Sequence, residues 1–196
     1  MKLYYAPGAC SLADHIALIA TGIDHQLEKV DLRAKTTETG DDYLAINPKG
    51  YVPALQLDSG AILTENIAIL AYIADQVHAL EPVETLGRFR SLETTAFIST
   101  ELHKNFKPFF NPAASEAERD EAKQVLAKRF AIVEAQLGDQ LFLFGDAIGV
   151  ADCYLFVMLY WASKRGVEFG EGLADYYARL QAHPAVVRAF AEEGLG

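Results

Sequence analysis

Residues 52–77, VPALQLDSGAILTENIAILAYIADQV, hold the pattern on which the fold turns. Two apolar runs, 52–57 and 61–63, flank Asp58-Ser59-Gly60, which has the composition of a tight turn, so the stretch predicts an antiparallel β-hairpin. Pro53 has no amide hydrogen to give to a ladder, which places it at a strand's start or edge. From Glu65 the apolar period lengthens. Ile67, Leu70, Ala71, Ala74 and Val77 recur at helical spacing and predict a helix over 65–77.

Working outward, residues 3–5 (LYY) are short and β-prone, and Pro7-Gly8 ends them. Ser11-x-x-Asp14 has capping-box spacing ahead of Ile16, Leu18 and Ile19, and Gly22 stops that helix. A second strand over 26–30 completes strand–helix–strand, for which parallel pairing through a right-handed crossover is the default. The polar stretch 33–42 reads as irregular. The first 77 residues are thus predicted as β-α-β, an irregular segment, then β-β-α. Residues 78–87, with Glu81-Pro82, read as a linker, and everything beyond reads as helix. Ser115-x-x-Glu118 opens a helix carrying Ala122, Val125, Leu126, Phe130, Val133 and Leu137 in register and closed by Gly138. Residues 150–165 are apolar almost all round, which marks a buried central helix, with Lys164-Arg165 at its dipole's negative end. Pro184 suits the first turn of a last helix.

Composition narrows the function. With 17 Lys plus Arg against 27 Asp plus Glu, the formal charge of −10 opposes binding to a phosphate backbone, and no nucleic-acid partner is expected. The longest apolar run, around 150–162, contains Asp152 and falls short of the ~20 residues a bilayer span needs. No secretory h-region follows Met1, so a cytoplasmic protein without a membrane partner is expected. Two distant cysteines do not form a disulfide framework.

Cys10 stands directly before the proposed cap Ser11, where a helix dipole and unpaired N–H groups favour thiolate. The competing reading is a small buried hydrophobe. No Cys-x-x-Cys is present, because Ala13 occupies the third position after Cys10, so redox chemistry here requires an external thiol. Cys153, on the buried helix, reads as structural. Glu65-Asn66 sits at a helix start, a place that holds anions and, through the carboxylate, an ammonium. His103-Lys104 lies either on the wet side of an amphipathic helix or at a site where the ring serves as base or donor. The five histidines lack metal-ligand spacing, and no metal is expected.

The segments APGACSLADHIAL, YLAINPKGYVPAL, LTENIAILAYIAD, ELHKNFKPFF, VADCYLF and HPAVVRAFAEEGL, in that order, resemble the beta-class bacterial glutathione transferases over essentially the whole chain. The resemblance implies an α/β plus all-α architecture. A thioredoxin-like N-terminal domain (1–77), with a mixed four-stranded sheet and helices, precedes the linker (78–87) and an all-helical C-terminal domain (88–196) that contributes an electrophile pocket. It also implies a homodimer, glutathione as co-substrate bound between the domains, and no tightly bound cofactor. Carried over by position, Cys10 is the thiol beside the glutathione sulfur. Val52 is the residue whose backbone pairs with the cysteinyl part, and Pro53 is the cis proline. Glu65 and Asn66 grip the γ-glutamyl end, Lys35 faces the glycyl carboxylate, and His103 and Lys104 line the cleft near the sulfur. Asn66 stands where the family more often has Ser or Gly, and Gly149 replaces the Ser/Thr cap of the buried helix.

The expected activity is therefore conjugation of glutathione, as thiolate, to a small hydrophobic electrophile. Two other readings stay open: glutathione-dependent thiol–disulfide exchange or peroxide reduction through Cys10, and non-catalytic binding of hydrophobic ligands.

Overall fold

The computed structural model describes residues 1–77, 80 and 85–195. They gather into two compact units, Met1–Leu80 with His183–Gly196, and Glu81–Ala182. Glu81-Pro82, at the centre of the predicted linker, lies outside the described residues.

The first unit is built on strands β1 (Lys2–Tyr5), β2 (Gln26–Asp31), β3 (Thr36–Thr37), β4 (Ala54–Gln56) and β5 (Ile62–Thr64), ordered β3-β2-β1-β4-β5. β1 runs parallel to β2, with Leu3 opposite Leu27, and antiparallel to β4, with Leu3 opposite Leu55. The hairpin β4–β5 is antiparallel, as the turn residues require. The sheet therefore has one strand more than expected. Within the polar stretch, the Asp31 carboxylate accepts from the amides of Arg33 and Ala34, an Asx turn that folds Thr36–Thr37 back on Val30 and Asp31. The polarity that reads as an irregular segment is turn chemistry.

Helix α1 (Leu12–Thr21) buries every residue from Leu12 to Leu18 and ends at Gly22, whose φ of 71° is left-handed. Its N-terminus departs from expectation. Ser11 already has helical φ and ψ and makes no capping bond, and its hydroxyl turns back to the backbone of Ala6. The chain winds in through successive turns (Leu12 N to Ala9 O, Ala13 N to Cys10 O), so no extended cap position exists for a Ser11–Asp14 box. A short helix α2 (Tyr43–Ile46) is capped by Asp42. Helix α3 (Asn66–Val77) packs on α1 through Ile69, Leu70, Ile73 and Ala74. That face is rotated from the predicted one: Val77 is exposed, and Ile67 and Ala71 are only half-buried. Nearby, Tyr4, Val30, Tyr43, Val52 and Ala54 close a small core under the loop between β3 and β4.

The second unit is helical. Helix α4 (Gly87–Phe97) runs into one π turn (Ile98–Leu102) and one 3₁₀ turn (His103–Phe106) before α5 (Lys107–Phe110). Helix α6 (Glu116–Leu137) has the predicted capping box, with Ser115 Oγ accepting from Glu118 N and the Glu118 carboxylate accepting from Ser115 N. Helix α7 (Val150–Arg165) is buried along all of 150–159, as its apolarity predicts. Only half of a capping box exists there, since Gly149 has no side chain. Asp152 accepts from the amides of Gly149 and Leu143 and from the hydroxyl of Tyr176 on α8 (Glu171–Gln181). Helix α9 (Pro184–Glu193), which belongs to the first unit, begins with proline in its first turn and packs on α1 of that same unit. No helix among the described residues is long and apolar enough to cross a membrane.

Candidate functional site

The turn 6–11 between β1 and α1 carries Cys10, and the residue before the cis Val52–Pro53 bond faces it. Cys10 Sγ donates to the Val52 carbonyl at 3.3 Å. The thiol is buried, and burial pushes it up to about 12, with the Asp14 carboxyl as the next cause. The amides of Cys10 and Ser11 pull in the opposite direction and lose. Of the two readings left open for Cys10, the geometry favours the small buried residue: the amides at the helix start act as expected, but burial outweighs them.

Asp14 is the group that sequence reasoning missed. Its carboxyl is wholly buried, with Oδ2 accepting from Asn66 Nδ2 at 3.1 Å and Oδ1 without a hydrogen-bond partner among the described residues. Desolvation holds it well above the ordinary carboxylate range. Its Ser-x-x-Asp spacing pointed to a cap, and the side chain instead turns inward. Asn66 bridges the two groups, since its Nδ2 also donates to the Cys10 carbonyl at 2.9 Å. The amide of Asn66 therefore points into the protein rather than outward, while its backbone opens α3.

Glu65 precedes Asn66 in a left-handed conformation, φ 76°. Its carboxylate accepts from Lys49 Nζ and from Tyr51 OH, and those two bonds hold it below its ordinary range, Lys49 contributing more. Half of the side chain is exposed, so an incoming ammonium can compete with Lys49 for it. Lys49 and Tyr51 were not singled out from the sequence, although both lie in the NPKGYVPAL segment. Lys35, also left-handed at φ 59°, donates from Nζ to the Gly50 carbonyl at 2.6 Å. A Cβ at Gly50 would press on Leu44 at 3.0 Å and approach Lys35 Nζ at 3.5 Å, so the glycine keeps the loop close to the lysine. The first unit thus brings together Cys10, Val52, Pro53 and Asn66 directly, and holds Glu65 and Lys35 on the adjoining loops.

His103 and Lys104 belong to the second unit. His103 Nδ1 shares a hydrogen bond of 2.7 Å with the Tyr154 hydroxyl, and its ring meets Trp161 edge-on at 5.0 Å. Burial lowers its pKa to about 4, so the ring is neutral through the physiological range. Lys104 is exposed on the same 3₁₀ turn. Trp161 also packs against Phe106 and Phe110, which gives this unit an aromatic cluster beside the histidine.

Residues 9–76 match the glutathione S-transferase N-terminal domain, and residues 116–188 match the glutathione S-transferase C-terminal domain. Glutathione S-transferase GstA of Escherichia coli O157:H7 is 44% identical over 200 residues, covering all of both chains. A sphingomonad glutathione S-transferase solved in complex with glutathione superposes at a TM-score of 0.93 with 45% identity, again over all of both chains. The bacterial beta-class enzyme of Sphingomonas chungbukensis superposes at 0.91 with 44% identity and the same complete coverage. With both domain models matched in order and full-length relatives at this identity, the chain belongs to the glutathione S-transferase family, in its bacterial beta class.

Proposed function

We propose that this protein is an enzyme that binds glutathione, stabilises its thiolate and transfers it to small hydrophobic electrophiles. The observation that carries the reading is the arrangement at the head of α1 and α3. The Val52 carbonyl, Cys10 and the Asn66 side-chain amide lie within one hydrogen-bonded group, with Glu65 next to Asn66 in the chain. The full-length likeness to a glutathione-complexed relative supports the same reading.

In this proposal the γ-glutamyl ammonium meets Glu65 and its carboxylate meets the N-terminal amides of α3, while Lys35 faces the glycyl end. The Val52 carbonyl has two lone pairs. One accepts from Cys10, and the other is available to an extended cysteinyl amide. Ionisation and positioning of the glutathione sulfur supply the rate gain. The roles that the family resemblance gives to His103 and Lys104 form part of the same proposal, as do a homodimer, a cytoplasmic location and the domain assignment 1–77 and 88–196.

Cys10 is a weak nucleophile in this setting, because its thiol is buried and protonated. That favours conjugation, which needs no protein thiol, over exchange through Cys10. Calorimetric titration with glutathione, together with turnover of an activated aryl halide, tests the proposal. Absence of both signals overturns it. Cys10→Ala is expected to keep conjugation within a few-fold of the parent. Loss of conjugation in that variant, with glutathione still bound, would make the sulfur essential.

A further inference from the structure

Away from the glutathione site, the fold brings together three side chains that are distant in sequence. His15 lies on α1, His25 in the loop leading to β2, and Glu192 at the end of α9. One nitrogen or oxygen from each lies within 4.8 Å of the other two. We propose that these residues form a divalent transition-metal site of the zinc class.

The outer hydrogen bonds are those that a metal-binding histidine pair requires. His25 Nδ1 is engaged by the Ile23 carbonyl at 2.7 Å, which leaves Nε2 as the coordinating nitrogen. His15 Nδ1 is engaged by the buried carboxylate of Glu193 at 3.0 Å, a carboxylate–histidine pair that turns Nε2 towards Glu192. His15 Nε2 lies 2.8 Å from Glu192 Oε2, so two of the three ligand atoms already converge. Arg188 binds the other oxygen of Glu192 at 2.7 Å and leaves Oε2 for the metal. Two carboxylates, Glu192 and Glu193, meet the histidine pair and one guanidinium, which supplies anionic oxygen beside imidazole nitrogen for a divalent ion.

Zinc–nitrogen bonds of about 2.0–2.1 Å in a tetrahedron place ligand atoms ~3.3 Å apart. Occupancy needs a small inward movement of His25 and a slight opening of the His15–Glu192 pair. His15 is fully buried and fixed, whereas Glu192 is exposed and able to adjust. His25 is half-buried and Glu192 exposed, so the cluster borders solvent and leaves water as the fourth ligand. Glu193, the residue bracing His15, accepts from Gly8 N at 2.9 Å. A bound ion would therefore fasten α9 to α1 and stiffen the turn that leads to Cys10.

The test uses the full chain without a histidine tag, stripped with chelator, in the Cys10→Ala background so that the sulfur at the head of α1 supplies no ligand; Cys153 stays buried in α7. Zinc chloride is titrated by calorimetry, cobalt(II) is followed by its visible bands, and thermal unfolding is measured with and without zinc. One zinc per chain at micromolar affinity or tighter, tetrahedral cobalt bands and a rise in Tm are expected. His25→Phe and Glu192→Ala should each weaken zinc at least tenfold while leaving the metal-free Tm within a few degrees of the parent. Glu192→Ala removes the contact with His15 Nε2 and His25→Phe alters an edge contact with the His15 ring, but both leave the buried His15–Glu193 bond in place, and the metal-free Tm reports that folding is retained. Absence of stoichiometric binding, or binding that neither variant weakens, overturns the site.

Discussion

Asp14→Asn isolates the effect of one buried carboxyl on stability. The substitution preserves shape: the asparagine oxygen can keep the bond from Asn66 Nδ2, and its amide replaces an oxygen that has no partner. Only ionisation is removed. In the folded chain, burial raises the Asp14 pKa well above 3.8, whereas in the unfolded chain it is ordinary. A raised native pKa stabilises fully below the unfolded value, and that stabilisation is lost as pH climbs towards the native one. The parent should therefore lose stability with rising pH relative to the variant. Between the two pKa values the difference grows by about 1.4 kcal/mol per pH unit and then levels off. Each kcal/mol corresponds to about 2–4 °C in Tm for a chain of this size. Urea unfolding of both proteins from about pH 4 to pH 8, in the presence of chelator, measures the difference directly. Near pH 4 the two should coincide, and above pH 5 the variant should be the more stable. Parallel curves, or a parent that gains on the variant as pH rises, would refute the assignment of a desolvated Asp14.

Three further expectations follow from the same geometry. Glu65→Gln should raise the glutathione Kd about tenfold, the low end for a charge-assisted bond because half of the carboxylate is exposed, and the effect should shrink with salt; an unchanged calorimetric Kd would remove Glu65 from the site. His103, lowered to about 4, should contribute no inflection to the kcat/KM profile between about pH 5.5 and 8, so His103→Gln should scale the profile by one factor; an inflection near 6.5 that vanishes in the variant would contradict a buried neutral ring. Asp152→Ala leaves the amides of Gly149 and Leu143 and the Tyr176 hydroxyl without their acceptor, and a loss of roughly 3–5 kcal/mol is expected in denaturant unfolding. A loss below about 1 kcal/mol would show that water replaces the carboxylate.

The architecture was legible where periodicity and turn chemistry act locally. The hairpin around Asp58-Ser59-Gly60, the Ser115–Glu118 box and the all-round apolar α7 appear where the residues place them. The strand Thr36–Thr37 was not legible, because its two residues acquire strand geometry only by pairing with β2. The packing face of α3 was also misread. A helix with apolar residues on several sides has no unique buried stripe until a partner, here α1, selects one.

The site divides along the same line. The order of residues alone determined the hairpin, the helix starts that bring Cys10, Glu65 and Asn66 near the sheet, and the family to which the chain belongs. Tertiary structure alone decided the ionisation of Cys10, the hidden Asp14 and the meeting of His15 with His25 and Glu192. Charge state depends on how much water and which dipoles surround an atom, and those surroundings come from segments more than 40 residues apart, such as Cys10 with Val52 and Asn66. Local propensity carries no record of such neighbours, so the sequence could name the sulfur but not its protonation.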